Sequence, residues 1–175
     1  MKKTAILIIL TYITSFTSLA QKEIELNIGL QIGNISPELE YENTTGKLLK
    51  LSELRGKLVL IDFWASWCPP CRKENPNIVN AYKKYKNSKF KSGEGFEVYS
   101  VSLDKKKTKW INAIDKDNLS WKYHVSDLNG WNSDGANKYN IQSIPSNLLI
   151  NSQGIIIAKN LKGIELHRFL DSQLK

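Results

Sequence analysis

The chain has 175 residues, 25 lysines and arginines against 17 acids, a net charge of +8 and only two cysteines. One domain with an ordinary hydrophobic core fits this length, and nothing suggests a second. The positive charge is spread along Lys83, Lys84, Lys86, Lys89, Lys91 and Lys105 to Lys107, without the arginine-rich clustering of a nucleic-acid site, so no nucleic-acid partner is expected.

In chain order, Met1 to Ala20 carries Lys2 and Lys3, an apolar core around Ala5 to Ile13, and the small-residue ending Ser18-Leu19-Ala20. This is the pattern of a secretory signal peptide cleaved after Ala20. The apolar run is shorter than the ~20 residues of a spanning helix, so attachment to a membrane is expected only if the segment stays uncleaved. Removal of residues 1–20, with their two lysines, lowers the net charge from +8 to +6. Residues 21–34 form a leader whose packing the sequence leaves open.

Leu39-Glu40-Tyr41 and Leu48 to Leu51 flank the turn signal Asn43-Thr44-Thr45-Gly46 and predict a hairpin. Leu58 to Ile61 is an unbroken β-favouring apolar run, the signature of a central strand buried on both faces. Pro69 and Pro70 suit only the first turn of a helix, which continues through Asn77 to Asn87 with Ile78, Val79, Tyr82 and Tyr85 on one stripe and a kink expected at Pro76. Phe96 to Leu103 alternates as the next strand. Thr108 to Lys116 predicts a helix that Asp104 caps. Trp121 to Val125 reads as a short strand and Ser133 to Tyr139 as a helix. Strands around Leu148 and at Ile155 to Ala158 form a hairpin across Asn151 to Gly154, and Ile164 to Leu174 closes the chain as an amphipathic helix.

The strand–Cys68–helix order has chemical consequences. A thiolate at the start of a helix is favoured by the first amides and the macrodipole, which makes Cys68 the attacking sulfur. Cys71, one turn deeper, is close enough to form a disulfide with it and becomes the resolving thiol. A bridge across three residues encloses too little chain to stabilise a fold, so redox chemistry explains the pair better than structure does. A zinc site would need two further ligands, and His124 and His167 are isolated, so no metal is expected.

The stretch Trp64-Ala-Ser-Trp-Cys-Pro-Pro-Cys-Arg-Lys-Glu-Asn-Pro76, preceded by Leu51-Ser-Glu-Leu-Arg-Gly-Lys57 and followed much later by Ile144-Pro145, resembles the TlpA-like and ResA-like branch of the thioredoxin superfamily. The resemblance implies a three-layer α/β thioredoxin-like domain over residues 35–175. It has a central mixed sheet, an N-terminal β-hairpin extension and an inserted helix–strand segment. It also implies that Pro145 is cis and faces the cysteines, and that Ile144 and Pro145 bind substrate with Trp67, Pro69 and Pro70. Trp67 is either an apolar rim of the site or a buried core aromatic, whereas Trp64 belongs to the core.

Two acids match proton-handling positions of such proteins, Asp62 at the end of the central strand and Glu74 three residues after Cys71. Which of them is the base for Cys71 stays open. The implied activity is that of a periplasmic thiol–disulfide oxidoreductase without a cofactor. It would reduce envelope proteins such as apocytochrome c, with electrons supplied by a membrane thiol–disulfide donor. An oxidase or isomerase of the same fold, or a redox-inert binding module, is the competing expectation. The Pro-x-x-x-Thr-x-x-Cys pattern of thiol peroxidases is absent.

Overall fold

The computed structural model describes residues 27–175. The expected signal segment, 1–20, and leader residues 21–26 lie outside the described residues. Strands β1 (Glu40–Glu42) and β2 (Leu48–Lys50) make the expected antiparallel hairpin, with Tyr41 opposite Leu49. A 3-10 turn over Leu51–Leu54 leads into β3 (Leu58–Trp64), followed by α1 (Pro69–Tyr85), the two-residue strands β4 (Lys89–Phe90) and β5 (Gly93–Glu94), and β6 (Phe96–Ser102). Then come α2 (Lys107–Lys116), β7 (Tyr123–Val125), a 3-10 turn at Gly130–Asn132, α3 (Asp134–Lys138), β8 (Ser146–Ile150), β9 (Ile156–Lys159) and α4 (Ile164–Ser172).

The five-stranded sheet has the order β7-β6-β3-β8-β9, parallel from β7 to β3 and antiparallel from β3 to β9. All seven residues of β3 are buried, as its continuous apolar run requires of a strand covered on both faces. Strand residues alternate in direction, so Leu60, Asp62 and Trp64 face one layer and Ile61 and Phe63 the other. The Asp62 face is covered by α1 and α4. Tyr82 of α1 stacks edge-on against Trp121, whose indole donates to Ser100 on that face, and Tyr85 donates to Asp171 of α4. The opposite face is covered by the hairpin and α3: Tyr99 donates to the Leu39 and Leu49 carbonyls, and Phe63 packs on Tyr139. Three layers result.

Register places buried polar side chains in one row across the sheet. His124 pairs with Ser100, Ser100 with Asp62, and Asp62 with Asn147. Polar groups buried this way need partners. Trp121 supplies one to Ser100, and Asn147 bonds both the amide and the carbonyl of Leu161.

Several expectations are corrected. Asp104 does not cap α2: the cap position is Lys106, without a side-chain bond, and Asp104 is buried elsewhere. The third strand of the parallel half begins at Tyr123 rather than Trp121, because the Trp121 indole turns inward to Ser100. The β4–β5 ribbon was not expected; its turn depends on Gly93, at φ 151°, where a Cβ would lie 2.5 Å from the Gly56 carbonyl oxygen. The described part of the leader packs on the sheet edge, through Gly33 N to the Ile156 carbonyl and Ile156 N to the Asn34 carbonyl, both 2.9 Å. It thereby shields the unpaired side of β9.

Candidate active site

The site sits where β3 ends. Pro69 and Pro70 have no N–H, so the first helical amide able to donate is that of Cys71, and it points at Cys68 Sγ, 3.2 Å away. Cys68 is therefore the N-cap of α1. The two sulfurs are joined in a disulfide across Cα atoms 5.3 Å apart. Both cysteines are buried, Cys71 at 1% exposure and Cys68 at 4%.

The loop between β3 and α1 is pinned from beneath. Asp104, 1% exposed, accepts from Ser66 N at 2.8 Å, Ser66 Oγ at 2.5 Å and Ser102 Oγ at 2.7 Å. The Trp67 indole donates to the Leu103 carbonyl, and the Leu103 amide to the Trp64 carbonyl. From the helix side, Arg72 forms a bidentate pair with Asp117, which also accepts from Asn75, while Arg72 donates to the Ser66 carbonyl. The guanidinium holds the Asp117 carboxyl below the usual range against the opposing effect of burial. The strand end, the loop and the first helical turn thus form one braced unit.

Sheet pairing explains why Pro145 faces the cysteines. The antiparallel register sets Ser146 opposite Phe63, so residues 144 and 145 continue past the end of β3 beside the 65–68 loop. The Ile144–Pro145 bond is cis, and the Ile144 carbonyl oxygen lies 3.7 Å from Cys68 Sγ. Ile144 and Pro145 are half-buried, Pro69 and Pro70 exposed. Trp67 is 47% exposed and belongs to the rim, not the core; Trp64, 1% exposed, is core.

Asp62 is buried under this unit, 2% exposed, and its carboxyl is pushed up to about 7, chiefly by burial and secondarily by the Glu74 charge, with Lys162 acting against both. Glu74 is half-buried and accepts from Asn77 at 2.8 Å and from the Gly163 amide at 2.7 Å, which ties α1 to the approach of α4. The two acids lie within electrostatic reach of one another. A carboxyl titrating near neutrality can exchange protons with a thiol at physiological pH. The histidines stand apart from all this. His124 is buried in the polar row, its imidazole held neutral down to about 4 by burial, and His167 meets Asn77.

Sequence reasoning missed Asp104, Arg72–Asp117, Asn147, Lys162 and Trp131. The Ser102-x-Asp104 spacing at a strand end is a local signal for the first, since the Asp104 amide bonds Ser102 Oγ. The remainder depend on contacts between residues far apart in the chain and leave no local mark.

The thioredoxin-like family matches residues 56–156, more than half of the chain. The thiol-disulfide oxidoreductase ResA of Bacillus subtilis is 31% identical over 71% of this chain and 64% of its own length, so the chain spans somewhat under two thirds of that relative. ResA of Bacillus cereus is 30% identical over 74% of this chain and 69% of its own length. Among solved structures, a thiol-disulfide oxidoreductase from Bacteroides fragilis superposes with a TM-score of 0.71 at 33% identity, covering 79% of this chain and 98% of that one. With the paired cysteines at the head of α1 and the five-stranded mixed sheet beneath them, these matches mean that the chain belongs to the thioredoxin-like family, among its ResA/TlpA-like thiol–disulfide oxidoreductases.

Proposed function

We propose that this chain works as a dithiol reductant of the cell envelope, exported by its N-terminal segment to the periplasm. It would pass electrons from a membrane thiol–disulfide donor to disulfides in envelope proteins, apocytochrome c among the candidates. The observation that carries the reading is the juxtaposition of Cys68 Sγ, the Cys71 amide and the Ile144 carbonyl at the open end of β3. A nucleophile, a donor that stabilises its thiolate, and an acceptor for an incoming backbone amide meet within 4 Å of one sulfur.

In the reducing direction the Cys68 thiolate attacks one sulfur of the substrate disulfide. A Cys68–substrate disulfide forms, and the other substrate sulfur leaves as a thiolate that takes a proton. Cys71 then gives up its proton and attacks Cys68 Sγ. The substrate sulfur bound to Cys68 departs as a thiolate and takes up a proton, and the Cys68–Cys71 disulfide remains. Two electrons pass to the substrate, and the membrane donor restores the dithiol by the same exchange in reverse. Asp62 is the proton acceptor for Cys71 that fits best, because its carboxyl titrates near 7 in a water-poor site. Glu74 tunes it through charge.

Pro69 and Pro70 favour the reducing direction. They deny the Cys68 thiolate an amide donor that the first turn could otherwise offer, and a less stabilised thiolate makes a weaker oxidant. Insulin-disulfide reduction tests the activity: turnover with the wild type that vanishes in Cys68→Ser is the expected result. Equal turnover in that variant, or none in the wild type, would leave the fold as a binding module.

A further inference from the structure

Beside the cysteines lies a cleft of about 400 Å³ that the exchange reaction as described does not use. Its walls are Trp67, Leu103, Trp131 and the stems of Lys105, Lys106 and Lys109. Trp67 and Trp131 are 47% and 46% exposed, and their rings sit 6.2 Å apart, tilted by 55°. Two neighbouring exposed indoles are a costly surface for a protein to present to water, and aromatic residues of this kind anchor interfaces.

The cleft is built rather than incidental. Trp131 lies on the Gly130–Asn132 turn, and the segment leading to it is fixed at both ends: Ser126 Oγ donates to the Ser102 carbonyl at 2.7 Å, and Asp127 accepts from the Asp134 amide at 2.9 Å. Leu128 is held at φ 55°, whereas the other non-glycine residues with positive φ among the described residues are all asparagines. A leucine tolerates that conformation poorly, and its surroundings must enforce it. Gly130, at φ 60°, lets Lys105 lie flat on the backbone, since a Cβ there would come 2.6 Å from Lys105 Cε.

The cleft is also electrically one-sided. The one acid in its wall, Asp104, already accepts from Ser66 and Ser102. Lys105, Lys106 and Lys109 are exposed, and none forms an ion pair among the described residues.

We infer that the Trp67–Trp131 cleft is a specificity site for the protein substrate. It takes the extended segment flanking the attacked cysteine, with a large apolar side chain packed on the exposed faces of the paired indoles and carboxylates against the three lysines. The inference deepens the proposed function and rests on it. Trp67 is the chain neighbour of Cys68, so the cleft faces the residues that flank the attacked cysteine. An apolar floor with unpaired cations selects by charge complementarity, and it favours acidic over basic flanks.

The test separates binding from redox turnover. The probes are the pentapeptides Glu-Phe-Ser-Phe-Glu and Lys-Phe-Ser-Phe-Lys, in which serine stands for the substrate cysteine, titrated calorimetrically into the full-length oxidised protein. The expected result is affinity about tenfold or more in favour of the acidic peptide at low salt, narrowing in 0.5 M salt. Lys105→Gln/Lys106→Gln/Lys109→Gln should collapse the ratio towards one, and Trp131→Ala should weaken both peptides. The distant triple Lys47→Gln/Lys86→Gln/Lys175→Gln, which removes the same charge, should keep the ratio. Equal affinities in the wild type, or the same collapse in the distant triple, would overturn the inference. So would Trp131-dependent dimers in sedimentation, which would make a second copy the occupant. Turnover of hydroxyethyl disulfide is measured in parallel. Turnover without peptide discrimination rejects the cleft alone, whereas discrimination without turnover rejects the reductase reading and leaves a binding site.

Discussion

Replacing Asp62 by asparagine removes the one titration that burial displaces most usefully for the chemistry. In the unfolded chain this carboxyl ionises near 3.8, and in the folded, oxidised protein near 7. Between those values the folded state holds a proton that the unfolded state has lost, so the wild type loses stability as pH rises through that window and levels off above it. The interval is worth about 4 kcal/mol at 1.36 kcal/mol per pH unit. Asparagine cannot titrate, and whatever its amide costs in the same cavity is independent of pH. Urea unfolding of both oxidised proteins from pH 4 to pH 8 therefore gives a difference that moves by about 4 kcal/mol in favour of Asp62→Asn as pH rises. Parallel stability curves would refute a buried, neutral-range carboxyl at this position.

Other consequences follow from the same geometry. Glu74→Gln removes the charge that raises the Asp62 carboxyl and should lower its midpoint, while Lys162→Gln should raise it; carboxyl NMR titration reads both shifts. If Asp62 is the base for Cys71, the rate of the resolving step should follow the same midpoints in those variants and lose its dependence between pH 6 and 8 in Asp62→Asn. Cys71→Ser should stop exchange after the first step and accumulate a substrate-bound Cys68 species on non-reducing gels, as Cys68→Ser should not. Asp104→Ala removes the two bonds that anchor the 65–68 loop at Ser66 and a third to Ser102 of β6, and should cost about 3 kcal/mol in denaturant unfolding.

The sheet and the cysteine pair were legible because their signals are local. The apolar run of Leu58 to Ile61 permits only a strand covered on both faces, and Pro69-Pro70 only a helix start, so the position of Cys68 follows from its neighbours. Asp62 was singled out by the family resemblance and expected at the strand end, whereas β3 runs two residues further, to Trp64. Its burial, however, depends on α1 and α4 closing over it, and no window of sequence contains that fact. Asp104 illustrates the opposite error. An acid shortly before a helix looks like a cap, yet the Ser66 amide and two hydroxyls offered it three donors inside the fold and won. Trp131 was invisible because its neighbour Trp67 lies far away in the chain and meets it only once the insertion folds back. The leader was undecidable for a similar reason, since its partner is the backbone of β9 and not any side-chain pattern.

The reduction potential of the Cys68–Cys71 couple, measured by equilibration against dithiothreitol and glutathione buffers, tests most directly whether this is a reducing dithiol. The account predicts a value near that of thioredoxin, about −270 mV; a value near about −120 mV would contradict it and reverse the direction of electron flow.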